Sequence, residues 1–171
     1  MINELSIIIP SLNEEKNIPN LLSEIQSSLS LSKIKYEVII IDDFSENKLE
    51  DVIEESKNIK VIRNDVNLGQ TKSIQIGIEN SKYRFICTLD GDGQNPPKEI
   101  LKLLNYFNDN FNSTDAVVGY RKNRQDKLSR KILSKTGNFI VGKITRTKFK
   151  DLGCSIKIFK KVDANYFQLS G

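Results

Sequence analysis

Five short segments rich in β-branched residues alternate along this 171-residue chain with longer polar or amphipathic segments. They are residues 5–9, 36–41, 59–63, 84–89 and 115–120, which read LSIII, YEVIII, IKVIR, RFICTL and DAVVGY. Short apolar runs bounded by polar residues are typical of strands that are buried on both faces. Their alternation with helical patterns over short connections predicts an α/β domain with a mostly parallel sheet flanked by helices.

Two of the intervening segments carry apolar residues at helical spacing. Residues 17–29 and 96–107 each place isoleucines and leucines three or four positions apart, which predicts an amphipathic helix in each. Asn95 stands before Pro96 and Pro97, and this order predicts a helix N-cap followed by proline in the first turn.

Composition excludes several classes of protein. A chain with 38% hydrophobic and 28% charged residues can bury one sizeable core, so one domain is expected. Cys87 and Cys154 are too few for a disulfide framework, which favours reduced thiols in the cytosol, and the absence of histidine leaves no zinc site. The longest apolar runs are far too short to cross a membrane.

The charge is unevenly distributed. Residues 1–120 carry 12 Lys and Arg against 19 Asp and Glu, whereas residues 121–161 carry 14 against 2. The basic third is expected either to face an anionic partner or to form a solvated surface. Within it, residues 127–143 mix leucine, isoleucine and phenylalanine with lysine and arginine, so this stretch could lie on an anionic membrane or pack on the sheet.

Polar clusters follow all five predicted strands. They read PSLNEE, DDFSEN, NDVNLGQTK, DGDGQN and RKNRQD in chain order. Ligands of open α/β sheets bind outside the carboxyl ends of the strands, so we expect the five clusters to meet at one edge and to form the site.

The aspartates of these clusters suggest a chemistry. Asp90 and Asp92 flank Gly91 at a strand end, where two carboxylates can hold a hard divalent cation that also binds phosphate oxygens. A D-x-D sequence is common, and the same residues could instead form a polar turn that caps the next helix. Asp42 and Asp43 could hydrogen-bond a nucleoside or make a turn.

Six motifs in order are similar to those of a known family. They are IIIPSLNEEKNI, VIIIDDFSEN, NLGQTKSIQIGI, TLDGDGQNPP, GYRKNRQD and KDLGCSIKIFKK. The chain resembles family 2 glycosyltransferases of the GT-A fold, in particular dolichyl-phosphate mannose synthase and its bacterial polyprenyl-phosphate relatives. The resemblance implies one catalytic domain, with residues 1–95 as the nucleotide-sugar part and residues 96–171 as an acceptor part that is incomplete at the C-terminus.

The same resemblance implies roles for individual residues. The nucleotide-sugar site would contain Pro10, Asn13, Glu14, Asp42, Asp43, Asn67, Gly69, Asp90 and Gln94. Asp90 and Asp92 would bind Mg²⁺ or Mn²⁺; Asp92, Arg121 and Arg130 would be catalytic; and Arg121, Arg130 and Ser134 would meet the acceptor phosphate. Two positions depart from the family pattern: Leu12 stands where an aromatic residue is usual, and Phe44 where glycine or a small polar residue is usual.

The implied activity is metal-dependent, inverting transfer of a sugar from a GDP- or UDP-sugar to dolichyl or undecaprenyl phosphate. Such a chain would work in the cytoplasm at the inner face of the membrane, alone or with a membrane partner. The alternatives are a nucleotide-sugar binding module without turnover and a transferase acting on a saccharide hydroxyl. Nucleic-acid binding is disfavoured, because no recognition motif is present and aromatic residues do not alternate with the basic ones.

Overall fold

The described part of the protein is a six-stranded sheet with helices on both faces. The computed structural model describes residues 1–119, 154 and 156–161. The strands are β1 (Glu4–Ser11), β2 (Lys35–Asp42), β3 (Ile59–Arg63), β4 (Phe85–Thr88), β5 (Ala116–Val118) and β6 (Lys157–Lys160). The helices are α1 (Ile18–Leu29), α2 (Gln70–Glu79) and α3 (Glu99–Asp109), and a 3-10 turn spans Leu49–Asp51.

The sheet is mostly parallel, as the alternation predicted. Its strand order is β3-β2-β1-β4-β6-β5, and the pairings of β1 with β2, β2 with β3 and β1 with β4 are parallel. β6 lies antiparallel between β4 and β5. All five predicted strands are present, and the carboxyl ends of β1, β2, β3 and β4 therefore meet at one edge.

Proline determines where α3 begins, and here the prediction for Asn95 is wrong. The N-cap of α3 is Lys98, and its side chain makes no capping bond. The N–H groups of Glu99 and Ile100 donate instead to the carbonyls of Pro96 and Pro97, at 3.0 and 2.9 Å. The two prolines thus form a turn before the helix, and Asn95 lies buried ahead of that turn.

The two faces of β1 bury different neighbours. Leu5, Ile7 and Ile9 belong to the main core with the apolar sides of α1 and α3. Ile8 points to the other face, where its Cγ2 lies so close to Gly77 of α2 that any Cβ at position 77 would overlap it. The glycine therefore lets α2 approach the central strand of the sheet.

Both cysteines are buried, and the described residues contain no disulfide. Burial raises the pKa of Cys87 to about 12, so this thiol stays protonated. In the part of the chain with described structure, none of the helices is long and apolar enough to cross a membrane.

Candidate donor site

A cavity of about 270 Å³ opens at the carboxyl edge of the parallel strands. Residues from four of the five polar clusters line it, together with Ser73: Pro10, Ser11, Leu12, Glu14, Asp43, Asn67, Gly69, Gln70, Asp90, Gly91 and Asp92. The expected convergence is thus observed for these four clusters. The fifth cluster, RKNRQD, lies outside the described residues, as do Arg121, Arg130, Ser134 and the basic stretch 127–143.

Asp42 supports the wall of the cavity from behind. It is the last residue of β2 and is fully buried. It accepts a hydrogen bond from the Ser45 N–H at 2.9 Å and forms an ion pair with Arg63. Burial acts to raise the pKa of Asp42, but the bonds from Ser45, Arg63 and Leu49 outweigh it and hold the pKa below its usual value. The carboxylate stays charged and holds the loop after β2 in place.

Asp43, the next residue, faces the cavity. Its carboxylate accepts three hydrogen bonds of 2.8 Å, from the backbone N–H groups of Leu68 and Gly69 and from the Asn64 side chain. Burial again acts to raise the pKa of Asp43, and these donors lower it below the usual value. Its anionic side chain is therefore fixed in place before any ligand arrives.

The loops after β1 and β2 are joined to each other. Asn13 adopts a positive φ of 57°, donates its N–H to the Ser45 hydroxyl at 2.9 Å, and accepts the Glu46 N–H at 2.9 Å. Phe44 also has a positive φ, 69°, which is rare for a bulky side chain, and the Arg63 guanidinium lies 5.4 Å from the centre of its ring. Asn13 therefore links the loop after β1 to the loop after β2 through two hydrogen bonds.

Asp90 and Asp92 lie on the other side of β1 from Asp43. The Gln70 side chain donates to Asp90 Oδ1 at 2.8 Å, and the Gln94 N–H donates to Asp92 Oδ1 at 3.0 Å. Between them, a Cβ at Gly91 would lie 3.1 Å from Ile18 Cδ1 and 3.4 Å from the Pro10 carbonyl oxygen. Glycine at this position lets the loop after β4 lie close against β1.

The carboxylate oxygens of the loop after β4 are suitable ligands for a hard divalent cation. Within residues 1–119, 154 and 156–161, no group of three or more His, Cys, Asp or Glu side chains could enclose a metal ion. Mg²⁺ is commonly held by one or two carboxylates, with substrate phosphates and water supplying its other oxygens. Asp90 and Asp92 on one cavity wall match that arrangement.

The cavity separates the residues predicted for the nucleotide-sugar site into two groups. It brings together Pro10, Glu14, Asp43, Asn67, Gly69 and Asp90, and Asp92, which was predicted to bind the metal, lines it as well. Asn13 and Asp42 are not part of the lining and accept hydrogen bonds from the loop after β2, and Gln94 contributes its N–H to the turn at Asp92.

Sequence reasoning missed three polar residues that line the cavity: Ser11, Gln70 and Ser73. Ser11 is buried, and its hydroxyl has no hydrogen-bond partner among the described residues. Gln70 and Ser73 belong to the quoted motif NLGQTKSIQIGI. They face the site because α2 begins at Gln70, and the sequence alone did not indicate where that helix begins.

Comparison with known proteins identifies the family of the chain. The family model described as Glycosyl transferase family 2 matches residues 6–166. Dodecaprenyl-phosphate galacturonate synthase of Rhizobium johnstonii is 34% identical over 174 residues, covering 98% of this chain and 51% of the relative. Undecaprenyl-phosphate 4-deoxy-4-formamido-L-arabinose transferase of Aeromonas hydrophila is 37% identical over 163 residues, covering 92% of this chain and 49% of the relative.

Solved structures agree in fold. Mannosyl-3-phosphoglycerate synthase from Rubrobacter xylanophilus superposes with a TM-score of 0.74 at 12% identity, over 92% of this chain and 53% of that one. Glucosyl-3-phosphoglycerate synthase from Mycobacterium tuberculosis, in complex with UDP, gives a TM-score of 0.67 at 15% identity, over 93% and 57%. The expected GT-A fold is confirmed. The chain spans about half the length of the curated relatives that it matches.

Proposed function

We propose that this chain, which belongs to glycosyl transferase family 2, transfers a sugar from a nucleoside diphosphate sugar to a polyprenyl phosphate. The observation that carries the proposal is the cavity, which has Asp43 on one side of β1 and Asp90 and Asp92 on the other. A prearranged carboxylate can accept hydrogen bonds from a nucleoside, and a carboxylate pair suits a cation that binds a diphosphate.

Asp90 and Asp92 would hold Mg²⁺ or Mn²⁺, which would neutralise the charge that develops on the departing nucleoside diphosphate. Asp43 would accept hydrogen bonds from the nucleoside, while Leu68 and Gly69 keep that carboxylate oriented. The loops joined by Asn13 would then keep the donor's anomeric carbon in a constant position relative to the acceptor.

The proposed acceptor rests on the names of the two curated relatives, which specify dodecaprenyl phosphate and undecaprenyl phosphate. A phosphate oxygen is already anionic, so its attack on the anomeric carbon requires no strong general base. Attack from the face opposite the leaving diphosphate would invert the anomeric configuration. Arg121 and Arg130, with Ser134, are proposed to bind the diphosphate and the acceptor phosphate.

Association with the inner face of the membrane is part of the proposal. The basic and apolar residues of segment 127–143 would attract the chain to anionic lipid, where a polyprenyl phosphate resides. Flotation with vesicles of phosphatidylglycerol and phosphatidylcholine tests this. Binding to the anionic vesicles alone is expected, and equal recovery with pure phosphatidylcholine contradicts it.

Sugar transfer is tested with radiolabelled UDP- and GDP-sugars and undecaprenyl or dolichyl phosphate in detergent. Label is expected in the lipid extract with Mn²⁺ present, and the unphosphorylated polyprenol is the matched control acceptor. Equal labelling of the polyprenol would indicate transfer to a hydroxyl. Nucleotide binding without transfer to any acceptor would indicate the binding module instead.

A further inference from the structure

Asp90 has a neighbour whose position is fixed by the whole of α2. Gln70 is the first residue of that helix, lines the cavity, and donates its side-chain N–H to Asp90 Oδ1 at 2.8 Å. Through this bond the start of α2 contacts the aspartate pair directly.

Three contacts at successive turns hold α2 against the sheet. Gly69, just before the helix, donates its N–H to Asp43 at 2.8 Å and has a φ of 82° that favours glycine. One turn later, the buried Ser73 hydroxyl accepts a bond from Asn64 at 3.3 Å. Two turns later, Gly77 packs directly on Ile8 of β1. The backbone at Gln70 is therefore immobilised by neighbours on both sides.

An amide donor on a fixed helix end, beside a carboxylate proposed to bind a metal ion, has a specific consequence. Hydrogen bonds from such neighbours orient the carboxylate, and their removal weakens metal binding. A neutral amide does this without adding a positive charge that would repel the cation. Glutamine therefore orients the carboxylate without adding charge, whereas lysine would orient it but would also repel the cation.

We propose that Gln70 is a positioning residue, which orients Asp90 to receive the divalent cation of the nucleoside diphosphate donor. The inference rests on the proposed function and adds a residue outside the carboxylate pair to the donor site. Because Gly69 holds Asp43 and Gln70 holds Asp90, the start of α2 links both sides of the cavity.

The test compares nucleotide binding by the whole chain with Mn²⁺ and with EDTA, using UDP and GDP in isothermal titration calorimetry. The ratio of the two dissociation constants measures the contribution of the metal. Gln70→Leu is expected to lower this ratio at least about tenfold, since loss of such a neighbour typically weakens metal binding by that much. Because each variant's own dissociation constant in EDTA is the reference, a loss of binding that does not depend on the metal leaves the ratio unchanged.

Gln75→Leu is the matched control. It makes the same change in the same helix, but the Gln75 amide donates to Glu79 at 2.8 Å, away from the cavity. Its ratio is expected to equal that of the wild type. A fall as large as that of Gln70→Leu would overturn the inference.

Gln70→Lys separates positioning from simple support of the fold. The ammonium still donates to Asp90, so the melting temperature is expected to stay at the wild-type value, while its charge lowers the Mn²⁺ contribution at least about tenfold. If Gln70→Leu lowers the melting temperature, and Gln70→Lys restores both that temperature and the wild-type ratio, then Gln70 only supports the fold and the inference is overturned. A wild-type chain that binds neither nucleotide would overturn the proposed function itself, whereas metal-dependent wild-type binding unchanged in Gln70→Leu overturns the role of Gln70 alone.

Discussion

The two sides of the cavity are built differently. On the β2 side, Asp42 and Asp43 are at most 4% exposed, and both have lowered pKa values because backbone and side-chain donors surround them despite their burial. On the β4 side, Asp92 is half-buried and lies in a turn where Gly93 has a φ of 70°. The comparison indicates that hydrogen bonds within the protein hold the carboxylates of the first side, while the second side carries the carboxylates that we propose for the cation.

The largest expected effect comes from Asp42→Ala, compared with the same substitution at Asp92. Removing Asp42 leaves Arg63 without its buried partner, which typically costs about 3–5 kcal/mol. The melting temperature is expected to fall by at least about 6 °C. Asp92→Ala is expected to change the free energy of unfolding by less than about 0.5 kcal/mol. Urea denaturation measures both, and equal losses would remove the distinction between the two sides.

The stability of Asp43→Asn at acid pH, compared with that of the wild type, tests the β2 side of the cavity. The pKa of Asp43 is lowered in the folded protein from its usual value of 3.8, so its contribution to stability is fully present above that pH. The contribution is lost as the pH falls through the lower, folded-state pKa. The amide of the variant has no such proton equilibrium, so the melting temperature of the variant should depend less steeply on pH below about 4. Thermal melts from about pH 6 to about pH 2.5 would show this, and identical slopes would contradict it.

The smallest effect is expected at Ser11, at the end of β1 between the two sides. Its buried hydroxyl has no partner among the described residues, and an unsatisfied buried polar group costs stability. Ser11→Ala should therefore leave the free energy of unfolding unchanged or raise it by about 1 kcal/mol. Chemical denaturation would measure this change. A loss of more than about 1 kcal/mol would mean that the hydroxyl supports the fold.

Local patterns predicted the strands well because their β-branched runs are long enough to be recognised. β3 was predicted at its observed bounds, whereas β6 was missed, since its sequence KIFK is short and its partners β4 and β5 precede it by tens of residues. α2 was missed as well, because Gly77 and scattered isoleucines give a weak helical pattern. That glycine is explained only by its packing on Ile8.

The order of strands and polar clusters in the sequence located the site at the carboxyl edge of the sheet. It could not distinguish the roles of residues that are adjacent in the sequence. Asp42 and Asp43 are adjacent and chemically identical, yet one is enclosed by the loop and the other lines the cavity. That difference arises because the chain leaves β2 at this point. Likewise, the pairing of Gln70 with Asp90 joins residues twenty positions apart, and it depends on where α2 begins.

The most direct test of the donor site is a thermal melt of the chain with UDP, GDP or CDP, each with Mn²⁺ or with EDTA, for wild type and Asp92→Asn. A ligand at about a hundred times its dissociation constant stabilises by about 2.7 kcal/mol, which is a rise of roughly 5–10 °C for a chain of this size. We expect that rise for one nucleotide with Mn²⁺, and its loss in EDTA and in Asp92→Asn. A cooperative melt that no nucleotide shifts, or an equal shift in Asp92→Asn, would contradict the assignment of this cavity as a metal-dependent donor site.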